Sequence, residues 1–271
     1  MVTVTYTVNC SILLTDVPLL QRAQAARDAG FEAVEFWWPF ASPTPSDADV
    51  TAFTRAIVDA GVQLTGLNFA AGDMPAGDRG ILSNPALTQD FRNNVEIAVG
   101  IAETLGTRCF NALYGNRDEE STPSIQDHVA ANNLAYAAAA ADRIGATVLV
   151  EPVSGAPRYP LKTAADAIRV IDRVHAEHGT TNLRWLADLY HLDVNGDDAS
   201  AAIRDHGGRI GHVQIADAPG RGEPGTGSID WPASLAVLRR SGYDGPIGLE
   251  YYPQTASEES VRYIRDLAAA A

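Results

Sequence analysis

One phrase recurs along this chain of 271 residues: the end of a helical pattern, a glycine, then a short β-rich run. It reads AGFEAVEFW from Ala29, AGVQLTGLNF from Ala60, LGTRCFNAL from Leu105 and IGATVLVEP from Ile144. It returns as HGTTNLRWLAD from His178, HGGRIGHVQIAD from His206 and SGYDGPIGLEYY from Ser241. Glycine lacks a Cβ and so takes the left-handed backbone that ends many helices. With an opening run, TVTYTVNC from Thr3, there are eight strand candidates. Helical patterns alternate with them: Leu19–Ala29, Asp47–Ala60, Leu87–Leu105, Ile125–Ile144, Ala164–His178, Ala199–His206, Pro232–Arg240 and Ser257–Ala270. Ser46 before the second helix and Ser257 before the last supply N-cap oxygens. Alternation of this kind produces a parallel sheet with right-handed crossovers. Eight units predict a single (β/α)8 TIM barrel of the α/β class, with residues 1–271 as one domain. An open doubly wound sheet is the alternative.

Charge narrows the partners. The chain has 34 acidic and 20 basic residues, a formal net charge of −14, and Lys162 is its one lysine. Binding to phosphate backbones needs dense Lys and Arg, so nucleic acid is not an expected partner. No apolar run approaches the roughly 20 residues that span a bilayer. The start, MVTVTYTVNC, lacks the basic and apolar stretches of a signal peptide. Two cysteines, Cys10 and Cys109, are too few for a disulfide framework or a thiolate metal site. A cytoplasmic enzyme without membrane contact is the expectation. A homo-oligomer is expected from a C-terminal helix that ends in plain alanine, Ala268–Ala271.

Active sites of (β/α)8 barrels lie at the C-terminal ends of the strands. Strand five ends in Val148-Leu149-Val150-Glu151, strand six in Leu186-Ala187-Asp188, strand seven in His212-Val213-Gln214 and strand eight in Gly248-Leu249-Glu250. One such residue is more often a loop hydrogen-bonder than a ligand. Four on consecutive strands point to a site. Three carboxylates at one end of an apolar barrel repel one another and raise their pKa values. A divalent cation removes that cost, and an oxygen-rich donor set suits Mg²⁺ or Mn²⁺ better than zinc. His191 follows Asp188 by three residues and shares its face if the loop turns helically, where it would hold substrate or ligate directly. His212, two residues before Gln214, belongs to a deeper barrel layer as a partner of a carboxylate or a core polar group. Gly220-Arg221-Gly222-Glu223-Pro224-Gly225 has the spacing of a dinucleotide fingerprint, but it does not open a helix after a first strand and reads as the loop after strand seven. Cys109 is expected inside strand four as packing. Trp37 and Trp38, at the end of strand two, cap a pocket or cover the rim.

At these residues the sequence resembles the hydroxypyruvate isomerase family of the xylose-isomerase-like barrel superfamily. The resemblance covers nearly the whole chain. It is carried by GFEAVEFWWPF, by NFAAGDMPAGDRG from Asn68, by Glu151-Pro152 and by Asp188-Leu189-Tyr190-His191. Its most specific stretch is GHVQIADAPGRGEPGTG from Gly211, and its last is GYDGPIGLEYYP from Gly242. The resemblance implies that Glu151, Asp188, Gln214 and Glu250 bind a divalent metal and that Glu151 and Glu250 handle the proton. Three positions depart from the family pattern: Ser154 where Asn is usual, Asp193 where Gln is usual, and Ser228 where Glu is usual.

The implied reaction moves a proton between adjacent carbons through an enediolate, in hydroxypyruvate to tartronate semialdehyde or an analogue such as a 2-oxo-tetronate. A carboxylate on the substrate calls for a guanidinium clamp, and Arg79 and Arg221 are the candidates. The substrate-binding set is then His191, Arg79, Arg221 and His212. Two alternatives stay open: a ketose 3-epimerase or dehydratase on the same metal site, and a non-catalytic binding barrel. Gln214 argues against the epimerases, which typically have His there. An endonuclease on this scaffold would resemble a histidine-rich zinc site on a basic face. Six histidines and a charge of −14 do not fit that.

Overall fold

A computed structural model describes residues 5–257 and 259–260. Eight parallel strands close into a barrel in sequence order. They are β1 (Tyr6–Asn9), β2 (Ala33–Phe36), β3 (Gln63–Asn68), β4 (Cys109–Asn111), β5 (Thr147–Val150), β6 (Leu183–Asp188), β7 (Ile210–Ile215) and β8 (Ile247–Leu249). β8 pairs back onto β1, with Tyr6 opposite Ile247. The helices are α1 (Arg22–Asp28), α2 (Asp47–Ala60), α3 (Thr88–Leu105), α4 (Pro123–Asp142), α5 (Ala164–His178), α6 (Leu189–Val194), α7 (Ala199–His206) and α8 (Trp231–Arg240). The expected strand and helix alternation is therefore present. Thr3 and Val4 of the first predicted strand, and the predicted last helix beyond Ser257, Glu259 and Ser260, lie outside the described residues. Among the described residues, no helix is long and apolar enough to cross a membrane.

Local chemistry explains the element ends. The Ser46 side chain accepts from the Asp49 N–H at the start of α2, and Gly61 ends that helix with a φ of 64°, which a side chain would strain. Thr163 and Asp166 form a reciprocal capping box on α5. The alanines of α4 (Ala130, Ala131, Ala137, Ala138, Ala140 and Ala141) are buried, so a helix with little side-chain bulk lies close against its neighbours. Trp38 and Phe40 meet edge to face at 5.1 Å, and Phe40 meets Phe53 of α2 at 5.7 Å. Trp37, Trp38 and Phe40 are partly buried and pack against the core. Cys109 is the first residue of β4, as expected, and is half-buried.

Most of the apolar core lies between the barrel wall and the helices. The barrel interior differs from the apolar interior assumed in the sequence reading. The Thr7 and Thr65 hydroxyls meet at 2.7 Å low in the barrel. Glu35, His212, Asn9, Gln214 and Asn111 are buried on the strands, with Glu151, Asp188 and Glu250 at their C-terminal ends. A polar column thus runs up to the rim.

Candidate active site

Asp188 ends β6 and lies opposite Gln214 of β7 in the parallel register. Its Oδ1 accepts the N–H groups of Tyr190 at 2.9 Å and His191 at 3.2 Å, which caps α6. The sequence required such a helical turn for His191 to join Asp188, and α6 supplies it. His191 Nε2 lies 3.6 Å from Asp188 Oδ2 and 3.9 Å from Glu151 Oε1. The Ser154 backbone N–H donates to His191 Nδ1 at 3.0 Å, and Ser154 Oγ lies 2.7 Å from the same nitrogen. A backbone N–H only donates, so Nδ1 carries the lone pair and Nε2 carries the proton. Burial, reinforced by the charges of Arg221, Arg79 and Lys162, holds the ring well below the ordinary histidine pKa. His191 is thus a neutral N–H donor facing two carboxylates, and ligation through Nε2 would require it to lose that proton.

Glu151 and Glu250 follow β5 and β8 directly and are buried. Asn111 Nδ2 donates to Glu151 at 2.7 Å, and Asn9 Nδ2 donates to Glu250 at 2.9 Å. Arg221 comes from the loop after β7. Its φ of 54° is rare for a residue with a side chain. Its guanidinium bonds Asp188 Oδ2 at 3.2 Å and a carboxylate oxygen of Glu250, while its Nε donates to the Glu250 carbonyl. It lies 5.2 Å over the Tyr190 ring. Burial and then the Asp188 charge push the Glu151 carboxyl up. Burial also raises Glu250, against the pull of Arg221 and with the charges of Asp188 and Glu151.

The donor set suits a hard cation. Among the described residues, the carboxylates of Glu151 and Asp188 lie buried together within 4.8 Å, with the His191 ring beside them as a hydrogen-bond donor. Gln214 Oε1 is buried without a hydrogen-bond partner. An unpartnered buried carbonyl beside carboxylates that raise one another's pKa is the environment a divalent cation relieves.

The other expected residues are placed differently. Arg79 donates to the carbonyls of Met74 and Asp78 in its own loop; of the two arginines, Arg221 is the one whose hydrogen bonds lie in the site. His212 Nε2 meets Glu35 Oε2 at 2.7 Å, which makes it a partner of a carboxylate inside the barrel. Glu35 itself was missed. It is a charged residue in the middle of the buried strand Ala33-Val34-Glu35-Phe36, a pattern that could have flagged it. Asp217 was also missed. It accepts from the N–H groups of Ala218, Gly225 and Ile229 and from the Trp231 indole, and so gathers the loop that carries Arg221. The GRGEPG stretch lies within that loop, as expected.

The comparisons with known proteins agree with this fold. The family model of the xylose isomerase-like TIM barrel matches residues 23–267. The chain belongs to that family. It is 52% identical over 252 residues, 92% of its length and 90% of the relative's, to a protein of Streptomyces coelicolor described as a putative hydroxypyruvate isomerase. It is 33% identical to the hydroxypyruvate isomerase of Escherichia coli, over 96% of this chain and 97% of that one. It is equally similar, at 33% with the same coverage, to a 2-oxo-tetronate isomerase of Cupriavidus necator. The family relationship expected from the motifs holds.

Proposed function

We propose that this chain is a divalent-cation-dependent isomerase of small hydroxy-oxo acids, converting hydroxypyruvate to tartronate semialdehyde or acting on a close 2-oxo-tetronate analogue. The observation that carries the reading is the convergence of Glu151, Asp188, His191 and Arg221 at one end of the barrel, with Glu250 held by that same arginine. The names of the relatives from three bacteria support the substrate class. Glu151, Asp188, Gln214 and Glu250 would hold the cation, Mg²⁺ or Mn²⁺ on donor chemistry. When bound, it supplies Lewis-acid stabilisation of charge on the substrate oxygens.

The chain's own groups account for the proton movements. One of Glu151 and Glu250 takes a proton from C3 of hydroxypyruvate, leaving the enediolate. The other returns a proton to C2. A hydroxyl proton must also pass from O3 to O2: the Nε2–H of neutral His191 donates to O2 and Nε2 takes the O3 proton in return, so the ring ends neutral. Asn111 and Asn9 hold the two glutamates in place. Arg221 supplies positive charge for the substrate carboxylate in a site otherwise lined with acids.

Purified protein assayed against three- to six-carbon hydroxy-oxo acids and ketoses, with Mg²⁺ and Mn²⁺ compared, tests this. We expect turnover of hydroxypyruvate or a 2-oxo-tetronate. Epimerisation of ketoses at C3 without turnover of either acid would replace the reading.

A further inference from the structure

The Glu35 carboxylate is buried and faces three donors. Oε1 accepts from Asn9 Nδ2 at 3.1 Å and from Gln214 Nε2 at 2.7 Å, and Oε2 meets His212 Nε2 at 2.7 Å. Gln214 presents its NH₂ to Glu35, and its carbonyl oxygen Oε1 is turned the other way. That oxygen is the buried atom without a partner. Asn9 carries the same relay to the rim, since its Nδ2 reaches both Glu35 and Glu250. The barrel makes room for this arrangement at Gly248. A Cβ there would stand 2.8 Å from Glu35 Oε1 and 2.9 Å from Gln214 Cγ.

We propose that Glu35 is a positioning residue, which orients Gln214 with its carbonyl oxygen toward the cation and steadies Glu250 through Asn9. The inference rests on the cation-site reading above. Glu35 touches no reacting atom in it. The role follows from the polarity of an amide, because a Gln214 turned over would present NH₂, which cannot ligate. Glutamine at position 35 would permit that flip, since its own NH₂ would then face the Gln214 oxygen.

The test is Mn²⁺ binding, followed by electron paramagnetic resonance, in the wild type and in the variants Asp188→Asn, Glu35→Gln, Gln214→Ala and the Glu35→Gln/Gln214→Ala double. Outer partners of metal ligands typically change affinity about 10–100-fold. Glu35→Gln should raise the Kd for Mn²⁺ within that range while Tm in EDTA stays near the wild type. Because the orientation of Gln214 is already lost in Gln214→Ala, Glu35→Gln should cost less in that background than in the wild type. If Glu35→Gln does not fold, Gly248→Ala crowds the same two side chains without deleting a donor and should also raise the Kd. A Kd within twofold of the wild type in Glu35→Gln or, failing that, in Gly248→Ala overturns the proposal, provided Asp188→Asn abolishes binding. Undiminished binding in Asp188→Asn instead overturns the cation site itself, and the proposal with it.

Discussion

The backbone N–H of Ser154 sets the tautomer of His191: it occupies Nδ1 at 3.0 Å and leaves the ring proton on Nε2, beside Asp188 and Glu151. The contact to Nδ1 is made by the Ser154 backbone as well as by its hydroxyl, so the backbone bond does not depend on the side chain. Ser154→Ala should therefore lower kcat by about tenfold or less, the worth of one neutral hydrogen bond. His191→Gln should lower it about 100-fold or more. Nitrogen-15 shifts of the His191 ring check the tautomer directly, and an Nδ1–H signal would contradict it.

Arg221 stands between Asp188 and Glu250 as their counter-charge. Its removal leaves buried carboxylates facing one another, and breaking a buried pair in this way costs about 3–5 kcal/mol. Arg221→Ala should lose that stability in EDTA and regain part of it in millimolar Mn²⁺, because a cation bound only to the folded state stabilises it. Calorimetry with and without Mn²⁺ measures both. A loss that Mn²⁺ does not touch would place Arg221 outside the cation site.

Asp217 ties down the loop that carries Arg221. Burial pushes its carboxyl up, but donors from Trp231, Ile229, Gly225 and Gly227 outweigh that and hold it below the ordinary aspartate value. A carboxyl with a depressed folded-state pKa stabilises the fold above its unfolded value, about 4. That contribution is lost as pH falls through the folded-state value. Asp217→Asn should cost about 1–3 kcal/mol at pH 7, the penalty for donors left without an acceptor. Urea midpoints of wild type and variant should converge below about pH 4. A gap that stays constant down to pH 3 would remove the electrostatic account.

Residues at strand ends were legible in the sequence because the barrel rule assigns them one rim. Glu151, Asp188, Gln214 and Glu250 needed only the eight-unit repeat to be placed together. His191 needed one further condition, the helical turn that Asp188 caps. Contacts across the barrel were not legible. Glu35 on β2 meets His212 and Gln214 on β7, 177 and 179 residues further along the chain, only because closure brings those strands together. Neutral Asn9 and Asn111 carry no charge signal, and their partners are 241 and 40 residues away. The acidity is also reinterpreted. Three acids were assigned to the interior from sequence, whereas Glu35, Asp217 and Glu223 are buried as well as Glu151, Asp188 and Glu250.

The central claim is that two glutamates move a substrate proton with the help of a divalent cation. Proton NMR of hydroxypyruvate with the enzyme in D₂O reads this directly, with the wild type, the chelated protein and Glu250→Gln run side by side. The account predicts tartronate semialdehyde carrying solvent deuterium at C2, formed only with added Mg²⁺ or Mn²⁺, and at a rate reduced about 10²–10⁴-fold in the variant. Undiminished turnover in Glu250→Gln, or after exhaustive chelation, would contradict it.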